Sequence, residues 1–118
     1  MSVQDGTPGK TTVSADVLLT IARLSALSVP GVSRLAAVPG GVNRLFRRGA
    51  GEGVRIETEE NVAFADLYLV LKPDVNLREV SRNVQQQVAR AIQEMVGMEV
   101  GQVNIHIEDI DYGSAAHR

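Results

Sequence analysis

Side chains able to do chemistry are sparse in this chain of 118 residues. His106 is the one histidine inside a patterned segment; His117 is the penultimate residue. As a transition-metal ligand His106 would need two or three partners. Strand alternation puts Asn104 and Glu108 on its side, and these are not a donor set such metals select. Asp66 and Glu108 could divide acid and base work if their strands were neighbours, but the expectation for each is a solvated strand face. The acids Glu108, Asp109 and Asp111 lack the spacing of a calcium loop. The glycine clusters Gly40-Gly41 and Gly49, Gly51 and Gly53 fit neither a phosphate-binding loop nor a dinucleotide fingerprint, and are expected to be flexible connections. With no cysteine at all, thiolate nucleophiles, disulfides and thiolate zinc sites are excluded. The reading is of no catalytic residue, no metal and no cofactor, and so of a protein that is not an enzyme. An unrecognised enzyme would require a deep pocket holding Asp66 and His106 together.

Binding chemistry is easier to find. Arg44, Arg47 and Arg48 enclose Leu45 and Phe46, a local basic patch with an apolar centre. Anionic headgroups attract about 1 kcal/mol per basic residue, and burial of Phe46 at the interface would add to that. A stretch this short offers only weak, salt-sensitive contact with a membrane surface, or an ordinary loop whose Leu45 and Phe46 tuck under the sheet. Tyr68, with Phe64 and Val70, is expected to form an apolar strip on the side of a sheet that no helix covers, a surface for a second subunit or a partner protein, the alternative being that a loop or tail covers it. A net charge of −2 and the want of paired aromatics on other strands argue against nucleic acid. A small RNA-binding or regulatory module is the alternative reading.

The elements that must position these groups follow from spacing. Ser14 is an N-cap with Asp16 in the first turn, and a helix is expected to about Ser28, stopped by Pro30-Gly31. Val17, Ile21, Leu24 and Ser28 fall at helical spacing, with Leu18, Ala22 and Ser25 beside them. A short strand is expected over Val32 to Val38, then a helical turn or loop over Val42 to Arg48. Val54 to Thr58 and Val62 to Lys72 alternate as two strands of a hairpin around Glu59-Glu60-Asn61. In the second, Ala63, Ala65, Leu67, Leu69 and Leu71 point one way, and Phe64, Asp66, Tyr68 and Val70 the other. Asn76 and Glu79 form a capping box before a long amphipathic helix with an apolar stripe of Leu77, Val80, Val84, Val88, Ala91 and Met95. Arg78, Arg82, Gln86, Arg90 and Gln93 take its far side and Gly97 ends it. A last strand runs from about Glu99 to Ile110.

The expected fold is α+β: a two-layer sandwich with a small mixed sheet and two helices packed on one face, in the order α-β-β-β-α-β. The last two strands are then parallel, joined through the long helix. Residues 1–11 and 112–118 read as flexible tails around a single domain over 12–111. The first dozen residues carry no signal-peptide core, and no stretch approaches the ~20 apolar residues of a spanning helix. The expected location is cytoplasmic, with any membrane contact peripheral.

From Thr12 to about Asp109 the chain resembles the alkaline-shock and general-stress protein family of bacteria, also called the envelope stress response family. Val13 to Val17 with Ile21-Ala22 match its opening helix, and Val29-Pro30-Gly31-Val32 its following turn, with proline where the family usually has an acid. Gly53 to Ile56 and Ala65 to Val70 resemble its central hairpin. Val75 to Val80 with Val84-Gln85 resemble the start of its long helix, and Met95 to Met98 with Val103 to Ile107 its last turn and strand. The segment Asn43 to Gly49 is more basic than the glycine-rich stretch the family carries there. The resemblance implies a non-enzymatic cytoplasmic scaffold in cell-envelope homeostasis, one that self-associates as a homo-oligomer and binds a membrane-anchored partner.

Overall fold

In a computed structural model, residues 12–38, 50–51 and 53–113 are described. The first helix, α1 (Ala15–Leu27), begins where Ser14 turns extended and its Oγ accepts the Val17 N–H at 3.4 Å. Pro30 follows its end, and β1 (Val32–Leu35) leads away. After a two-residue strand, β2 (Ala50–Gly51), the hairpin of β3 (Val54–Glu59) and β4 (Val62–Leu71) closes through Glu60 and Asn61, with Glu60 at a φ of +56°. The long helix α2 (Leu77–Val96) starts on Asn76, whose Oδ1 accepts the Glu79 N–H at 3.0 Å, and stops at Gly97, at a φ of +76°. The chain then returns along β5 (Glu99–Ile110). The expected order holds, with β2 as an addition.

Strand β4 organises the sheet. On one edge β5 runs parallel to it, from Val62 opposite Glu99 to Leu71 opposite Ile110. On the other edge two antiparallel strands lie end to end: β3 beside Val62 to Leu67 and β1 beside Leu69 to Leu71. Tyr68 is the join. Its N–H donates to the Gly53 carbonyl at 2.9 Å and its carbonyl accepts the Ala36 N–H at 2.7 Å. Gly53 sits at a φ of +73°, tight against Leu35 and Ala36, a backbone position that glycine occupies without a steric penalty.

Both helices lie over one face, as two-layer packing requires. There Ala63, Ala65, Leu67, Leu69 and Leu71 of β4 are essentially inaccessible and meet Leu18, Ala22 and Ala26 of α1 and Val80, Val84, Val88 and Ile92 of α2. Each fully buried Val, Leu or Ile contributes roughly 1.5–3 kcal/mol of transfer free energy.

Two helical faces differ from the spacing argument. On α1 the sheet-facing side is Leu18, Leu19, Ala22 and Ala26, while Val17 and Leu24 are 45% and 57% exposed. This helix is apolar nearly all round, so periodicity could not choose, and the small alanines let its axis approach the sheet. On α2 the buried row is Val80, Val84, Val88 and Ile92, whereas Leu77 and Met95 near its ends are exposed. The strict four-residue spacing carries the buried seam to Ile92 and away from Ala91 and Met95. Among the described residues no helix is long and apolar enough to cross a membrane.

Candidate sheet-face site

The face of the sheet away from the helices gathers the polar side chains of β3, β4 and β5. Register sets Asp66 between Arg55 of β3 and Asn104 of β5, and Tyr68 beside His106. Asn104 Nδ2 donates to Asp66 Oδ1 at 3.1 Å, and His106 Nε2 lies 3.1 Å from the same oxygen. A carboxylate only accepts, so this contact is a hydrogen bond when the imidazole carries a proton on Nε2. Arg55 Nη2 stands 3.9 Å from Asp66 Oδ2 and donates to the Tyr68 hydroxyl at 3.4 Å. The Tyr68 and His106 rings stack, with centroids 4.5 Å apart and planes at 11°.

These contacts correct one expectation. The strip of Phe64, Tyr68 and Val70 does lie on the helix-free face, since neither Tyr68 nor Val70 belongs to the aliphatic core. It is not bare: Tyr68 is 6% and Val70 3% exposed. Tyr68 is held against His106 and Arg55. At the level of Val70 a clasp crosses β4: Asp111 Oδ2 accepts from Ser33 Oγ at 2.6 Å and from Arg34 Nη1 at 3.1 Å. Long polar side chains on neighbouring strands cover apolar surface with their stems. Phe64 is half-buried because β5 has Gly101 beneath it, where a Cβ would stand 2.5 Å from the ring. A lone glycine inside a strand pattern is the sequence signal for such a close approach. The Asp111 clasp spans 77 and 78 residues of chain and has no local signal.

What this cluster can do is limited by its openness. The side chains of Asp66 and His106 are 27% and 41% exposed. They line neither of two surface hollows: a groove of about 670 Å³ bordered by Val13, Leu18, Ile56, Thr58 and Phe64, and a smaller polar one at Pro30, Asn83 and Gln86. Asp66 and His106 thus stand together on the open sheet face and not in the deep pocket that an enzyme reading would require. Glu108 is not brought to Asp66, whose partner across the ladder is Asn104. Among the described residues no three His, Cys, Asp or Glu side chains are gathered to hold a metal ion. The arrangement is one of donors, acceptors and a stacked ring pair on a flat surface, which suits recognition of another surface. Arg44, Phe46, Arg47 and Arg48, with Gly40, Gly41 and Gly49, lie outside the described residues.

Comparison with known proteins bears on this geometry. Residues 3–112 match the alkaline shock protein 23 family, described as having a cell envelope-related function. The chain is 26% identical to the uncharacterized protein YqhY of Bacillus subtilis (strain 168), over 98% of this chain and 87% of that one. It is 32% identical to the uncharacterized protein Spy1535 of Streptococcus pyogenes serotype M6, over 86% of this chain and 79% of that one. Among solved structures, two variants of the MamM CTD superpose with TM-scores of 0.51 and 0.50, at 12% and 13% identity. Each covers 80% of this chain, and the match covers 93% and 94% of those domains. At that identity the likeness is one of fold alone.

Proposed function

Because the chain belongs to the alkaline shock protein 23 family, of cell envelope-related function, we propose that it acts there as a non-enzymatic cytoplasmic scaffold. It self-associates and binds a membrane-associated partner. The observation that carries this reading is the edge of β5. This strand is twelve residues long and, among the described residues, pairs only with β4. Its Val103, Ile105, Ile107 and Ile110 are only half-buried. A long open edge with a half-covered apolar row is a template for pairing with another strand. The one side-chain bond to its backbone from α2 is Gln85 Nε2 to the Val103 carbonyl, at 3.0 Å.

On this reading β5 joins copies edge to edge. The sheet face then continues across the join, presenting Arg55, Asp66, Asn104 and His106 over the packed Phe64, Tyr68 and Val70. Arg44, Phe46, Arg47 and Arg48 would add a cationic contact for the membrane-associated partner. Sedimentation velocity tests the first step. The protein should form a concentration-dependent oligomer that Ile105→Lys returns to monomer, since an inward-pointing charge on an edge strand blocks pairing. The circular dichroism spectrum of the variant should stay folded. A wild-type protein that is monomeric throughout the micromolar range refutes self-association through β5.

A further inference from the structure

The two helices carry an outer surface that the sheet does not use. On α1, Val17 and Leu24 stand two turns apart and opposite Ala22 and Ala26, with Leu27 beside them and 41% exposed. On α2 the side opposite Val80, Val84, Val88 and Ile92 carries Arg82, Gln86, Arg90 and Gln93, with Glu79 on the same face in the first turn and Arg78 toward the β5 edge. No acid occurs between Glu79 and Glu94. Among the described residues none of these arginines enters an ion pair. The helices pack side by side on the same sheet face, so the exposed leucines and the unpaired arginines share one surface. Four arginines, Arg23, Arg78, Arg82 and Arg90, face three acids, Asp16, Glu79 and Glu94, on these two helices, a net +1 in a chain that is −2 as a whole.

We propose that this helical surface docks on an anionic phospholipid bilayer. Val17 and Leu24 enter the headgroup boundary while Arg82 and Arg90 meet lipid phosphates, the division of labour of an interfacial amphipathic surface. A second copy fits poorly. Two helical layers face to face would set arginine against arginine, and the polar sheet face offers the leucines no apolar counterpart, with Tyr68 and Val70 already buried. Single-stranded nucleic acid is held by stacking on aromatic rings; α1 and α2 contain none, and binding to phosphates alone would leave the exposed leucines without a role. The surface is distinct from the sheet face and β5 edge of the scaffold reading, and either stands if the other fails.

Flotation of the full chain tests it, with vesicles of phosphatidylcholine alone and of phosphatidylcholine mixed with phosphatidylglycerol. The protein should float only with the mixed vesicles, and less as salt rises. The double variant Arg82→Gln/Arg90→Gln should weaken partition about 30-fold, and Leu24→Asn about tenfold with its salt dependence kept. Both changes are on exposed positions, and helicity should be unchanged. Glu57→Gln, on the sheet side, should float like the wild type. The proposal is overturned by absence of flotation with mixed vesicles, by equal flotation with both, or by variants that bind as the wild type does. It is also overturned if the arginine variant instead abolishes lipid-free self-association, or if pooled RNA is held more tightly than vesicles.

Discussion

Replacing Gly53 by alanine imposes two separable costs, and the structure gives each a size. The first is conformational: at a φ of +73° an L-residue carries a left-handed penalty of about 1 kcal/mol. The second is steric. The new Cβ would stand 2.4 Å from the Leu35 Cβ and 2.8 Å from the Ala36 carbonyl oxygen, where carbon atoms prefer ~3.5–4.0 Å. Leu35 and Ala36 would have to retreat by about an ångström, a form of overpacking that costs roughly 1–3 kcal/mol. The retreat also strains the Ala36 N–H to Tyr68 carbonyl bond of 2.7 Å, worth about 1 kcal/mol. Together these come to roughly 3–5 kcal/mol. Gly97→Ala is the control, because its φ is +76° and nothing lies within 4 Å of the added carbon; it should lose only about 1 kcal/mol. At roughly 4 °C per kcal/mol for a domain of this size, Gly53→Ala should melt about 12–20 °C below the wild type, and Gly97→Ala about 4 °C below. Urea unfolding followed by far-ultraviolet circular dichroism suits a chain without tryptophan. If the two variants agree within about 0.5 kcal/mol, β1 and β3 do not meet end to end beneath Tyr68, and the reasoning fails.

Three further outcomes are expected. Asn76→Ala removes the acceptor for the Glu79 N–H and should cost about 1 kcal/mol in equilibrium unfolding. Ile92→Ala, at a fully buried position, should cost about 2–5 kcal/mol. Met95→Ala, 68% exposed, should stay within about 0.5 kcal/mol; equal losses would mean that the buried seam of α2 runs elsewhere. Asp111→Ala unhooks Ser33 and Arg34 and should cost about 1 kcal/mol, since the clasp is partly solvated. It should also speed amide hydrogen exchange at the end of β5 while α2 is unchanged.

The sheet face shows why placing residues on a face is easier than saying what covers them. Alternation alone sends Asp66, Tyr68, Asn104 and His106 to one side, because successive strand residues point oppositely. Parallel pairing of β4 with β5 then brings Asp66 to both Asn104 and His106. Whether Tyr68 is bare depended on the reach of Arg55 and His106 across neighbouring strands, 13 and 38 residues away in the chain. Local pattern carries no term for that.

What the sequence determined by itself is whatever depends on neighbours within a turn or a pleat. The caps at Ser14, Asn76 and Gly97, the alternation of β4 and the polar side of α2 are of this kind, because their hydrogen bonds and periodicities close over a few residues. Tertiary structure alone decided which side of α1 is buried, how β1 and β3 share one edge of β4, and how Asp111 reaches Ser33. Those outcomes turn on how closely separate elements can pack and on contacts between residues distant in the chain. A helix with apolar residues on most of its sides, such as α1, satisfies the local rules in several orientations, and the small alanines facing the sheet settle the choice only when the sheet is there.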